Sequence, residues 1–204
     1  VYNMLPSDGW GLHIKGTHQQ TDGYREFGFN KSQALTVKTG YKFDKNHTLD
    51  FLTMNGFHRN GQGWIGVSMD ELKERPRANG NPASDDDNWF MSMNRLQYKG
   101  RVANNIVLTS AAYAQFQTGS YRMDLDNYMI RMSDPNWAPL DIIYDYHLQH
   151  YLIGTNAFTK FYLKRFIITM GINTYTYKRT HEMGNKGINI PITDYYSNFG
   201  NKNE

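Results

Sequence analysis

The sequence predicts an all-β chain: a segment of an antiparallel transmembrane β-barrel of about seven strands, with short periplasmic turns and long extracellular loops. Three observations predict it. The chain is polar yet rich in aromatics, its apolar residues alternate over strand-length runs, and the gaps between those runs alternate between short and long. Of 204 residues, 39% are hydrophobic, while 15% are aromatic, with 15 Tyr, 11 Phe and 4 Trp. Mean hydropathy is -0.69. Disordered chains are poor in aromatics, whereas a barrel with a wet interior and aromatic girdles needs both features.

Strand-like runs fall at Trp10–Gln20, Ser32–Phe43, His47–His58, Phe90–Arg101, Ile106–Thr118, Ile143–Gly154 and Phe166–Arg179. Each has roughly the length a tilted membrane strand requires. In the second run, Leu35, Val37, Thr39, Tyr41 and Phe43 share one face, and Ala34, Thr36, Lys38, Gly40 and Lys42 share the other. The fourth sets Phe90, Asn94, Leu96 and Tyr98 against Arg95, Gln97, Lys99 and Arg101. The fifth sets Ile106, Leu108, Ala112, Ala114 and Phe116 against Thr109, Tyr113, Gln115 and Gln117. Period-2 alternation means one apolar and one polar environment. A soluble sandwich gives the same period, so the gaps discriminate better.

Those gaps are Thr21–Lys31, Asp44–Asn46, Arg59–Trp89, Val102–Asn105, Gly119–Ile142 and a connection of about ten residues near Thr155–Arg165. Short turns on one side and long loops on the other are characteristic of outer-membrane barrels. A helical period is suggested only at Met69–Arg75. Trp10, Phe43, Trp89, Phe90, Phe116, Tyr175 and Tyr177 are candidates for the aromatic girdles.

Charge and motifs narrow the function. The formal net charge is +3, with both signs spread along the chain, and no basic run interleaves with aromatics, so nucleic acid is not a partner. With no cysteine, disulfides and thiolate-held metals are excluded. No apolar stretch reaches the length of a membrane helix, which leaves barrel strands open. There is no G-x-S-x-G elbow, and Gly61-Gln62-Gly63 lacks the Lys and Ser of a phosphate loop. The expectation is a protein that is not an enzyme. His147 and His150, three apart on a strand, face opposite sides and share no metal.

Several elements carry a family resemblance. Thr21-Asp22-Gly23-Tyr24-Arg25-Glu26 follows the first strand. Gly63-Trp64-Ile65-Gly66-Val67 precedes Met69-Asp70-Glu71-Leu72 and Arg75. Asn94-Arg95-Leu96-Gln97-Tyr98, Ala112-Tyr113 with Gly119-Ser120-Tyr121, and Asp194-Tyr195-Tyr196 with Asn198 and Lys202 come in order behind them. This series resembles the barrel of TonB-dependent outer-membrane receptors, particularly those of Bacteroidetes. Ser68 and Ser120 depart from the family's pattern. The resemblance implies a larger parent of about 22 strands around a plug. Nothing here resembles a plug, a TonB box or a closing strand, so residues 1–204 read as part of a single, incomplete barrel domain.

The resemblance further implies a Gram-negative outer-membrane location among its lipids and active uptake of a scarce nutrient: siderophore-bound iron, haem, cobalamin or a glycan. Energy would come from the TonB complex through the absent plug, with a surface lipoprotein as partner in the glycan-importing branch. A passive pore or adhesin barrel and a soluble glycan-binding β-sandwich are the rivals. Loop aromatics and arginines suit capture of a polar, partly flat ligand. They nominate Trp64, Arg75, Arg77, Tyr121, Arg122 and Trp137. No cofactor is expected. Asp85, Asp87, Asp124 and Asp126 are hard oxygen donors for a structural calcium. Lys38, Lys42, Arg95, Lys99 and Arg101 form a cationic row on the inner face.

Overall fold

The structure, a computed structural model, describes residues 9–187 and three short pieces, 2–4, 197–198 and 202–203. Seven long strands run in chain order: β1 (Trp10–Thr21), β2 (Asn30–Lys42), β3 (His47–Gly61), β4 (Asp86–Ala103), β5 (Ile106–Asp124), β6 (Ile142–Tyr162) and β7 (Ile167–Gly187). Each pairs antiparallel with the next in an uncrossed meander. Residues 2–4 add to the outer edge of β1, and the two C-terminal pieces to that of β7. The described strands form one sheet, not the two packed sheets of a sandwich.

All seven expected strands are present, and most outrun their expected ends. They reach 21 residues in β6 and β7 because the backbone ladder continues where side-chain alternation fades. The ten-residue connection expected near Thr155–Arg165 is one such case. Residues 155–162 complete β6, and a tight turn closed by Leu163 N–H donating to Phe166 O joins it to β7. Residues 22–29, 62–85 and 125–141 make the long connections on one end of the sheet, and 43–46, 104–105 and 163–166 the short ones on the other. Asp194-Tyr195-Tyr196 lies outside the described residues.

Register assigns the faces, because residues directly opposite in an antiparallel pair point to the same side. One row runs Leu12, Thr39, Phe51, Leu96 and Ala112 across β1 to β5. A neighbouring row on the same face runs Leu35, Asn55, Ser92, Phe116 and Tyr151. This face is apolar and edged by aromatic bands. Phe90, Phe116 and Tyr151 stand in a line toward the long loops, with ring centroids 6.2 and 4.9 Å apart. Trp10, Tyr41 and Phe43 mark the short-turn end, at 4.7 and 4.9 Å. The opposite face carries His13, Lys38, Leu52, Arg95, Tyr113 and Gly154 in a single row. Lys42, Lys99 and Arg101 join it, so the expected cationic row is on the polar face. Trp89, Tyr175 and Tyr177, expected in the girdles, also lie on the polar face. Strand propensity placed these rings without regard to side.

Candidate ligand-binding site

The long connections are not slack. Segment 62–85 contains α1 (Met69–Glu74), whose Ser68 N-cap hydroxyl accepts from Glu71 N–H at 3.1 Å. Segment 125–141 opens with α2 (Leu125–Met132), capped by the Asp124 carboxylate accepting from Asn127 N–H at 3.0 Å. Side-chain caps of this kind satisfy the orphan donors of a helix's first turn. The sequence reading anticipated α1 and missed α2. Its signal was there in Asp124 followed by Leu125, Tyr128, Met129 and Met132 at helical spacing.

Polar side chains lock these segments into a cap. Asn81, 1% exposed, accepts from Ile65 N–H at 2.8 Å and donates to Asp85 at 2.9 Å. Asp85, equally buried, accepts from Asp124 N–H at 2.7 Å and so ties segment 62–85 to the base of α2. Burial pushes the Asp85 carboxyl above its ordinary pKa, against the opposing pull of those two donors. Asn79 donates to the carbonyls of Glu26 and Gln62, both at 2.8 Å, joining segment 22–29 to the cap. Asn127 donates to Gly80 O at 2.8 Å. Asp126 anchors the far side, accepting from the Trp137 indole at 2.8 Å, Leu140 N–H at 2.9 Å and Asp141 N–H at 2.6 Å. Burial alone would raise the Asp126 pKa, but those hydrogen bonds outweigh it and hold the carboxyl below its ordinary value.

Beneath the cap, on the polar face, is a cavity of about 600 Å³, within the usual range for ligand pockets. Its walls are aromatic: Trp89, Tyr121, Tyr144 and Tyr146 from the strands, Trp64 and Tyr128 from the cap. Tyr121 and Tyr146 are register partners whose rings stack at 4.5 Å and 10°. Trp64 and Tyr128 lie 5.7 Å apart and bring the two capping segments together. Trp89 stands opposite Gly119, where an added Cβ would overlap the indole, so the glycine lets the ring lie down across β5. Asp87 supplies the carboxylate, held by Asn60 at 3.0 Å and Gln62 at 3.1 Å. Flat apolar rings with a few oriented polar groups suit a ligand that has both flat faces and polar edges.

The structure sorts the nominated residues. Trp64 and Tyr121 line the cavity. The other four are placed as braces. Arg75 pairs with Glu26, Arg77 donates to Tyr24 O at 2.6 Å, and Trp137 holds Asp126. Arg122 lies on the apolar face's margin, donating to Asp86 at 2.6 Å, a carboxylate it shares with Arg59. Trp89, Tyr128, Tyr144, Tyr146 and the cavity role of Asp87 were not anticipated. Tyr144 and Tyr146, two apart and hence on one face, were the available signal. Of the oxygens nominated for calcium, those of Asp85, Asp87, Asp124 and Asp126 accept hydrogen bonds from N–H donors of the protein. Among the described residues, no group of three or more His, Cys, Asp or Glu is placed to hold a metal ion.

An uncrossed antiparallel sheet with one apolar and one polar face, long loops at one end and tight turns at the other has the fold of outer-membrane receptor barrels. Solved structures bear the likeness. The chain matches the unliganded ferric citrate transporter FecA over 96% of its length, with TM-score 0.79 and 11% identity. It matches BauA, the ferric preacinetobactin receptor of Acinetobacter baumannii, over 99%, with TM-score 0.64 and 9% identity. The third is the open form of Fiu, the ferric-catecholate import receptor of E. coli K12, at 98%, TM-score 0.61 and 11% identity. The chain spans 28%, 31% and 34% of these structures, about a third of their length. No family model and no curated protein matches the chain.

Proposed function

We propose that this chain is part of the wall and mouth of a TonB-dependent receptor in the outer membrane of a Gram-negative bacterium. There it takes up a scarce nutrient with energy delivered through a plug, and performs no bond chemistry. The apolar face meets lipid, the polar face lines the lumen, and the capped end faces the medium. The observation that carries this reading is the aromatic cavity under an interlocked cap at one end of a two-faced wall. Support comes also from the motif order that resembles TonB-dependent receptors. The likeness of fold to three transporters or receptors of ferric chelates points the same way. Siderophore-bound iron, haem, cobalamin and glycans are the substrate classes, and a surface lipoprotein is a partner if the substrate is a glycan.

The test is binding and uptake by the full-length protein. Quenching of tryptophan fluorescence in detergent should identify one class from a panel of ferric siderophores, haem, cobalamin and oligosaccharides. Trp89→Ala or Tyr121→Ala should weaken that binding up to about tenfold, because each removes a stacking face worth about 0.5–1.5 kcal/mol beyond the area it buries. Collapsing the proton-motive force should stop uptake and leave binding intact. Uptake that persists without it would make the protein a passive pore.

A further inference from the structure

Two adjacent aspartates of β4 are answered in different ways. Asp86 stands at the margin of the apolar face. Arg59 Nη2 and Arg122 Nε each donate to it at 2.6 Å, so two cations meet its charge. Asp87, one residue on, points to the polar face. Its oxygens accept from the neutral amides of Asn60 and Gln62. Among the described residues no lysine or arginine pairs with it, and His58 Nε2 stands 3.8 Å away. Arginines of the cap are held elsewhere. Arg75 pairs with Glu26 and Glu71, Arg131 with Glu71, and Arg77 donates to the carbonyl of Tyr24.

Asp87 opens into the cavity beneath the cap. Of the described residues that line this space, six are aromatic, Asp87 is the one acid, and none is lysine, arginine or histidine. Trp89 lies two residues along the same face, its indole laid across β5 at Gly119. Tyr121 is the register partner of Asp87 and stacks in turn on Tyr146. Trp64 and Tyr128 close the space from the cap. Arg179 shares this face but lies on β7, three strands from Asp87 and four residues below Met183, which shares the row of Tyr121 and Tyr146. At the usual strand spacing the lateral separation alone is roughly 14 Å.

We infer that the cavity takes the cationic end of its ligand, a protonated amine or a quaternary ammonium, seated over Trp89 and Tyr121 against the Asp87 carboxylate. Ring faces carry the negative side of the aromatic quadrupole, and the carboxylate adds a full charge of the same sign. The wall therefore presents a field of one sign to its occupant. An anion is repelled by it, and a neutral group leaves the charge of Asp87 unanswered. An organic cation meets both features, the carboxylate by charge and the rings by cation–π contact. The inference deepens the proposed function and rests on its reading of this cavity as the ligand site. It specifies the charge of the group that enters.

The test is calorimetric titration of the full-length protein in detergent at about pH 8, where an ordinary imidazole is neutral. The probes are benzyltrimethylammonium, benzyl alcohol and benzylsulfonate, which share a ring and differ in charge. The cation should bind about tenfold more tightly than the alcohol, the scale of a carboxylate acting together with cation–π contact. Its affinity should fall as salt is raised, and the sulfonate should bind more weakly than the alcohol. Asp87→Asn should bring cation and alcohol close to parity. A wild-type protein that binds the alcohol or the sulfonate as tightly as the cation overturns the inference, as does one that binds none of the three. A preference that survives Asp87→Asn overturns it too. The wild-type ranking decides the matter even if that variant fails to fold. Uptake that depends on the proton-motive force keeps the proposed function standing whichever probe binds best. Uptake without that dependence removes the proposed function and leaves the charge preference in place.

Discussion

The cap and the wall are built on opposite plans. In the cap, Ile65 and Ala78 are fully buried, and Asn81, Asp85 and Asp86 at its base are within 2% of it. Polar side chains make up much of its core. In the wall, Leu35, Phe57, Leu96, Ile153 and Ile172 remain exposed, and deep burial is confined to small or occasional positions such as Ala111 and Leu148. The wall is held by its continuous backbone ladder, and its two faces need only match two surroundings. Outside the short helices α1 and α2 the cap has no regular structure to satisfy its backbone, so asparagine and aspartate side chains do that work. The lesson is that loop rigidity here is a property of a few amides and carboxylates, while wall integrity is spread over many equivalent bonds.

The largest break should come from Asn81→Ala. It strands the Ile65 N–H and removes a donor from buried Asp85, each worth roughly 1–3 kcal/mol. Amide exchange across 62–85 should accelerate on the order of a hundredfold, by the usual tenfold per 1.4 kcal/mol, with the strands unchanged. Equal acceleration in β3 and β4 would show that cap and wall are one cooperative unit. Trp137→Phe should act more locally. It deletes one hydrogen bond to a carboxylate, worth about 1.5–3 kcal/mol, and should loosen 125–141 while Asp126 keeps its backbone donors.

Acidity should divide the cap against itself. Asp126 has a folded pKa below its unfolded value of about 3.9. Its stabilisation is present above that value and lost as pH falls through the folded one. Asp85 has the reverse shift. Its contribution is fullest below about pH 3.9 and is lost as pH rises through its raised folded value. Exchange measured against pH should show 125–141 loosening in acid while 62–85 tightens, and Asp126→Asn and Asp85→Asn should each remove one trend. Parallel behaviour of both segments would mean that neither carboxylate governs its segment. The smallest effect should be that of Glu71→Gln. Hydrogen bonding to Arg131 lowers the Glu71 pKa, yet its partners are solvent-exposed arginines, and such pairs contribute little. Cap exchange should stay at the wild-type rate.

Seven strands, their order along the chain and the alternation of short and long connections could be read from the sequence, because strand period and turn residues are local properties. The faces of β2, β4 and β5 followed from the same period. The extent of β6 did not, since the ladder persists through Thr155–Tyr162 on backbone bonds that carry no side-chain signal. Nor did the roles of the loop residues. Trp64, Arg75, Arg77, Arg122 and Trp137 are equally plausible ligand contacts in one dimension. The folding of 62–85 against 22–29 turned Arg75 and Arg77 into braces, Trp137 braces Asp126 within 125–141, Arg122 braces Asp86 on the neighbouring strand, and Trp64 is left facing the cavity. The sequence by itself determined a two-faced wall, because each residue's side follows from its neighbours' spacing. The tertiary structure alone decided the cap and the cavity, because those depend on side chains up to tens of residues apart meeting a buried donor or acceptor that no local pattern announces.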